Sequence, residues 1–184
     1  DGKVLFKNTN LLDLSYNQMK DYRGKEIAMI FQEPMTSLNP VMTIGSQICE
    51  SIILHKGLSK KEAWNRAGEL LLQVGIPDAL EKMNDYPHQM SGGQRQRVMI
   101  AIAMSCDPKL LIADEATTAL DVTVQAQILE LLIKVTKESK TALIIITHNL
   151  GIVARYADRV NVMYAGKIIE TGTAMDVYKN PSHT

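Results

Sequence analysis

The sequence has little cysteine: Cys49 and Cys106 are the only two in 184 residues. They lie far apart and lack metal-ligand spacing, so reduced thiols in a cytosolic protein are expected. An excess of either charge is also missing. The 20 Lys and Arg offset the 20 Asp and Glu, for a formal net charge of zero. No global field therefore draws the chain to nucleic acid or an acidic membrane, and nucleic acid is not an expected partner. The longest apolar runs, "VMIAIAM" and "ALIIIT", fall far short of the roughly 20 residues that span a bilayer. No charged-then-apolar leader opens the sequence, so no secretory signal is expected. Internal repeats and low-complexity segments are absent too. The first residues are "DGKVLF" without a methionine, which sets the expectation of a fragment or a processed product.

What is present suffices for one globular domain with a core and a small subdomain. "KEIAMIFQ" (25–32) reads as a buried strand that runs into the polar, proline-containing loop "QEPMTSLNP". A helix is expected from Ile44 to about His55. "SKKEAWNRAGELLLQVG" predicts another, with a Ser59/Glu62 capping box, apolar residues at three-to-four spacing and Gly75 at its end. The second half alternates. "KLLIAD" (109–114) and "TALIIIT" (141–147) read as buried strands around an amphipathic helix over 122–139. A short helix near 150–156 follows, then "RVNVMYAG" and "KIIETG" as two strands around a Gly166 turn. Apolar strands alternating with helices predict an α/β fold with a parallel sheet covered on both faces. The region from about Ile44 to Met104 shows no strand pattern and reads as a helical insertion.

Four places carry chemistry. In "LLIADEATTALD" the apolar strand runs directly into Asp114 and Glu115, and ligands bind at the carboxyl ends of parallel strands. Asp114 suits Mg²⁺ and Glu115 the orientation or deprotonation of a water; equally, the pair is an acidic strand end that caps the next helix. In "SGGQR" (91–95), Ser91, Gly92, Gly93 and Gln94 open a helix with bare N–H groups at the positive end of its dipole, a phosphate-binding arrangement. An ordinary capped helix start explains the serine but not two glycines, which cost helix stability. His148, after the strand "ALIIIT", is expected at the same sheet edge, donating to a terminal phosphate, although a lone histidine is more often structural. Gln32 ends its own strand within reach of a metal or an attacking water. Asp121 is a natural N-cap.

The order of these features resembles the ATP-binding subunit of ABC transporters across essentially the whole chain. "SGGQRQR" resembles the signature motif, Gln32 the Q-loop, Asp114 and Glu115 the Walker B aspartate and catalytic glutamate, "TALD" (118–121) the D-loop, and His148 the H-loop. "MIFQEPMTSLNPVMTIGSQI", "TTALDVTVQAQIL" and "GTAMDVYKNPSHT" resemble the dipeptide, oligopeptide or nickel importer branch. The resemblance implies a P-loop NTPase-like parallel sheet core with an inserted helical subdomain. Its implied divisions are 1–43 (the rest of the N-terminal core, ending in the Q-loop), 44–104 (helical subdomain and signature helix) and 105–184 (the C-terminal RecA-like part). It implies ATP and Mg²⁺ as ligands, with Asp114 and Gln32 on the metal, and Glu115, His148 and Gln32 as catalytic residues. Ser91, Gly92, Gly93, Gln94 and Asp121 would serve ATP held by a second ABC ATP-binding subunit in a head-to-tail dimer. Transmembrane permease subunits are the other implied partners, on the cytoplasmic face of the membrane.

Two departures qualify this. No G-x-x-x-x-G-K-[ST] pattern occurs, so the phosphate-cradling Walker A loop is absent from these residues. The expected consequences are apolar sheet surface left exposed, and a chain that alone does not hydrolyse ATP. Ala116 stands where the family usually has proline after the glutamate, and proline would hold Glu115 extended. The expected function is thus an ATPase subunit that powers an importer. The alternative is a non-catalytic interaction module that pairs with an intact subunit or docks on the transporter. A soluble ABC ATPase of DNA repair or translation would carry a coiled-coil insertion or a second tandem ATPase domain, and that reading is not the expected one.

Overall fold

The computed structural model describes residues 2–32, 37–117 and 121–181. The first three residues of "TALD" and the end of "NPSHT" lie outside them. The chain forms two compact units, Asp1–Ile145 and Ile146–Thr184.

The first unit opens with an antiparallel pair, β1 (Leu5–Phe6) and β2 (Thr9–Asn10). Lys7 and Asn8 join them at φ 45° and 66°, the left-handed pair that a two-residue hairpin turn requires. Helix α1 (Tyr16–Lys20) follows, closed by a Ser15/Gln18 capping box. No expectation covered these elements. Strand β3 (Ile27–Ile30) occupies the middle of the expected segment.

The helical region is as expected: α2 (Ile44–Lys56), α3 (Lys60–Gln73), the short α4 (Ala79–Lys82) and α5 (Gly92–Met104). Ile44, Ile48 and Ile52, one helical turn apart, are all fully buried, so α2 turns a single apolar face inward. Gly45 permits close approach there, because a Cβ would lie 2.9 Å from Trp64 ring atoms and from Met83 Cβ. At the start of α3, Glu62 accepts from the Ser59 amide at 2.9 Å and its hydroxyl at 2.6 Å. Gly75, at φ 75°, follows the helix end, and Arg97 donates to the Val74 carbonyl at 2.6 Å. The helix end is thereby satisfied from α5.

Strand β4 (Leu110–Asp114), helix α6 (Val122–Glu138) and strand β5 (Ala142–Ile146) complete a sheet of order β3-β4-β5. β3 and β4 run parallel, with Ile27 opposite Leu110 and Ile30 opposite Ala113. β5 enters at the same end as β4: the Ala142 amide donates to Lys109 O at 2.9 Å, and Thr141 Oγ1 to Pro108 O at 2.7 Å. The expected burial of both sheet faces is met on one. Ala28, Ile30, Leu111 and Ala113 are buried in the core, with Val98, Ile100, Ile128 and Leu132 from the helices. Met29, Ile144 and Ile146 remain 38%, 48% and 47% exposed. Apolar residues thus line both faces of the sheet, and among the described residues helices cover one of them.

The second unit holds α7 (Leu150–Tyr156), the antiparallel pair β6 (Arg159–Tyr164) and β7 (Lys167–Thr173), and α8 (Ala174–Lys179). Ala165 and Gly166, at φ 48° and 76°, form the expected hairpin turn.

The Ser59 bonds hold the Glu62 carboxyl below its usual range. A depressed folded value makes a stabilising contribution that is complete above the unfolded value near 4.5 and fades as pH falls through the lower folded value. Thermal melts of Glu62→Gln should therefore show a smaller loss of stability between neutral and acid pH than the native chain. Identical pH profiles for the two proteins would refute this role for Glu62.

Candidate active site

The parallel register aligns two strand ends. Two residues beyond the Ile30–Ala113 pair lie Gln32 and Glu115, just past the ends of β3 and β4; Gln32 was expected to end its strand, which stops instead at Ile30. Their side chains meet: Gln32 Nε2 donates to Glu115 Oε2 at 2.8 Å. Asp114 is the last residue of β4, half-buried beside this pair. Glu115 itself sits at φ 44°, a left-handed conformation that non-glycine residues adopt at a cost. The next two residues, Ala116 and Thr117, are buried. The sheet edge therefore presents a carboxylate, a second carboxylate and an amide together.

The glycine-led helix α5 starts at Gly92. Ser91 and Gln94 form a capping box: Ser91 Oγ accepts from the Gln94 amide at 3.3 Å, and Gln94 Oε1 from the Ser91 amide at 3.0 Å. Ser91 and Gly92 are exposed and Gly93 is half-buried. A Cβ on Gly93 would lie 3.1 Å from Val124 Cγ1, so this glycine lets α5 pack against the first turn of α6. Asp121 caps α6 as expected, accepting from the Val124 amide at 3.0 Å. One short apolar contact thus joins the starts of the two helices.

Two further residues belong to the site and were not anticipated. Gln96 is fully buried in α5 and donates through Nε2 to the Ala116 carbonyl. Gln125, from α6, donates to Thr117 Oγ1 at 2.9 Å. Gln96 stands between Arg95 and Arg97 in "RQRVMIAIAM", a polar setting that gives no signal of its burial. His148 lies in the second unit, exposed, between Thr147 and Asn149, whose Oδ1 caps α7 by accepting from the Gly151 amide at 3.0 Å.

The ABC transporter family model matches residues 1–118, well over half the chain. The chain belongs to the ABC transporter family. A dipeptide transport ATP-binding protein of Lactococcus lactis subsp. cremoris is 55% identical over 184 residues, all of this chain and 53% of the relative. An oligopeptide transport ATP-binding protein of Bacillus subtilis is 56% identical over 182 residues, covering 99% of this chain and 51% of the relative. The chain thus spans about half the length of the curated relatives it matches. Among solved structures, the dimeric ATP-binding cassette MJ0796 in a post-hydrolysis state with ADP and Pi superposes with a TM-score of 0.82 at 28% identity, over 95% of this chain and 74% of that one. The cbiO1 cassette from Clostridium perfringens gives 0.82 at 30% identity, over 98% and 69%.

As an ABC protein the chain has a donor set suited to Mg²⁺. Among the described residues no three His, Cys, Asp or Glu side chains are grouped to cage a metal. Mg²⁺ typically takes one or two carboxylates and leaves its other positions to water and nucleotide phosphates, and Asp114 at the strand end fits that pattern. Ala116 follows Glu115, where a proline would restrict the backbone of the preceding residue to extended geometry, unlike the φ of 44° found here.

The Gly93–Val124 contact separates packing from ligand access. Alanine is favoured over glycine inside helices by about 0.8–1 kcal/mol. In a Val124→Ala background, Gly93→Ala should gain most of that; beside the native valine it should gain little or lose stability. A denaturant double-mutant cycle measures the difference. Equal effects in both backgrounds would mean that Val124 does not dictate the glycine.

Proposed function

We propose that the chain is the ATP-binding and ATP-hydrolysing part of a subunit that powers a membrane importer of di- or oligopeptides. The observation that carries this is the Gln32–Glu115 hydrogen bond at the carboxyl ends of two parallel strands. It joins a side chain able to sense the nucleotide to one able to activate water. Glu115 acts as the general base, Gln32 contacts the metal or the attacking water, and Asp114 holds Mg²⁺, usually through water. His148 donates to the terminal phosphate. The peptide substrate class is supported by relatives named for dipeptide and oligopeptide transport.

The exposed start of α5 supports a role in trans. Ser91, Gly92, Gly93 and Gln94 present the positive end of a 13-residue helix, and they contact ATP bound to the Walker motifs of a second ABC subunit. Asp121 lies at the same dimer interface. ATP favours the closed dimer and hydrolysis reopens it, a two-state motion passed to transmembrane permease subunits. Among the described residues no helix is long and apolar enough to cross a membrane, in keeping with attachment through those permeases at the cytoplasmic face. The domain assignment follows the same reading: 1–43 and 105–184 form the ATPase core and 44–104 the helical subdomain.

This 184-residue polypeptide carries no Walker A pattern, which favours a second reading for the isolated chain, a partner module without activity of its own. Each charge-assisted bond of a phosphate cradle contributes roughly 1.5–3 kcal/mol, so losing several leaves little affinity. Calorimetric titration of the chain with ATP and Mg²⁺ should detect no binding, and saturable micromolar binding would overturn this account of the site. In cells, Glu115→Gln should reduce uptake of labelled di- and oligopeptides on the order of 10²-fold or more. Undiminished uptake would remove Glu115 from the mechanism.

A further inference from the structure

Gln96 is a polar side chain where the fold offers every reason for an apolar one. It is the first buried residue of α5, with Val98, Ile100 and Ala101 fully buried just beyond it. Its own exposure is 0%. Because Nε2 donates to the Ala116 carbonyl, the amide orientation is fixed and Oε1 faces the other way. That oxygen is buried without a hydrogen-bond partner. A buried acceptor left unpaired is destabilising, whereas methionine or leucine would fill the same space without that cost. Packing alone does not explain a glutamine here; its donor to Ala116 does.

The accepting carbonyl belongs to the residue directly after Glu115. Glu115 holds a left-handed φ of 44°, and such a conformation persists only when its surroundings over-determine it. The chain is held on both sides of it. Ahead of Glu115 is the β4 ladder; behind it, Gln96 holds Ala116 and Gln125 holds Thr117. Gln32 then meets the carboxylate that this backbone presents.

We propose that Gln96 is a positioning residue for Glu115: its buried amide fixes the Ala116 carbonyl and thereby aims the Glu115 carboxylate at Gln32. The signature helix of a chain is thus tied to the hydrolytic glutamate of the same chain by one hydrogen bond. A shift of α5, whose exposed start faces the nucleotide of a partner subunit, displaces the Ala116 carbonyl and with it the Gln32–Glu115 contact. The inference rests on the proposed role of Glu115 for its catalytic meaning, but its geometric content is separately measurable.

The reporter is the Gln32 side-chain amide in the NMR spectrum of the ¹⁵N-labelled 184-residue chain. Glu115→Gln marks where that signal lies without a carboxylate partner. Gln96→Met conserves volume and removes the unpaired Oε1 but leaves the buried Ala116 carbonyl without this donor, so its thermal stability should change little. Its Gln32 amide should nevertheless move toward the Glu115→Gln position. Gln96→Leu should do the same, which covers any misfit of the methionine. Ile52→Val, a core truncation in α2, should lower stability and leave the Gln32 amide where it is. A native Gln32 signal in both Gln96 variants would overturn the proposal, as would an equal displacement in Ile52→Val. ATP turnover by the assembled transporter separates the two layers. Gln96→Met should lower kcat with KM for ATP unchanged. If Glu115→Gln leaves turnover intact while the Gln96 variants still move the Gln32 amide, the positioning stands and the reading of Glu115 as base falls.

Discussion

The parallel register of β3 against β4 is the constraint on which the candidate site depends. Side chains alternate along a strand, so a slip of one residue would send Ala28, Ile30, Leu111 and Ala113 out of the core and turn their neighbours in. The apolar core therefore sets the register, and the register brings Gln32 level with Glu115. Neither polar residue contributes to the pairing that positions it. The 2.8 Å contact between them is a consequence of hydrophobic burial several residues away.

A second dependence runs through α5. Its apolar C-terminal half is buried in the same core cluster as α2, α3, α6 and the sheet, and its polar N-terminal half serves several tasks. The first turn is exposed and capped within itself by Ser91 and Gln94. Arg97 reaches back to close α3 at Val74, and Gln96 reaches forward to the turn after Glu115. A helix built this way transmits displacement as a rigid body, because the core that holds it is densely packed and tolerates discrete shifts better than gradual deformation. The helical region and the sheet edge are consequently coupled through one element.

The strongest sequence signals were those with a local cause. The Ser59/Glu62 capping box, the Gly75 stop, the apolar spacing of α3, and the β6–β7 turn at Gly166 each follow from a few neighbouring residues, and the structure contains all of them. The β1–β2 hairpin was not legible because Lys-Asn, not Asn-Gly, occupies its left-handed turn and its strands have two residues each. The covering of the sheet was misjudged for a different reason. Met29, Ile144 and Ile146 are as apolar as buried residues, and strand composition does not say which face a helix will cover. At the site, Gln32, Asp114 and Glu115 were legible at or just past strand ends. Gln96 and Gln125 were not, since their roles exist only through contacts twenty and eight residues away.

The glycine pair in "SGGQR" shows how one motif can satisfy two demands. Phosphate access would suffice to explain small residues at an exposed helix start, and Gly92 is exposed. Gly93 has a separate cause, because Val124 stands 3.1 Å from the position of its missing Cβ. Val124 is also the residue whose amide Asp121 caps, so the contact fixes the start of α6 against the start of α5. Removing the side chain at 93 therefore brings two helix N-termini together, and the dipoles of both contribute to the positive potential on that side. A single phosphate-binding helix needs only one bare end. The packing of Gly93 on Val124 explains why the second glycine belongs to the architecture even before any ligand arrives.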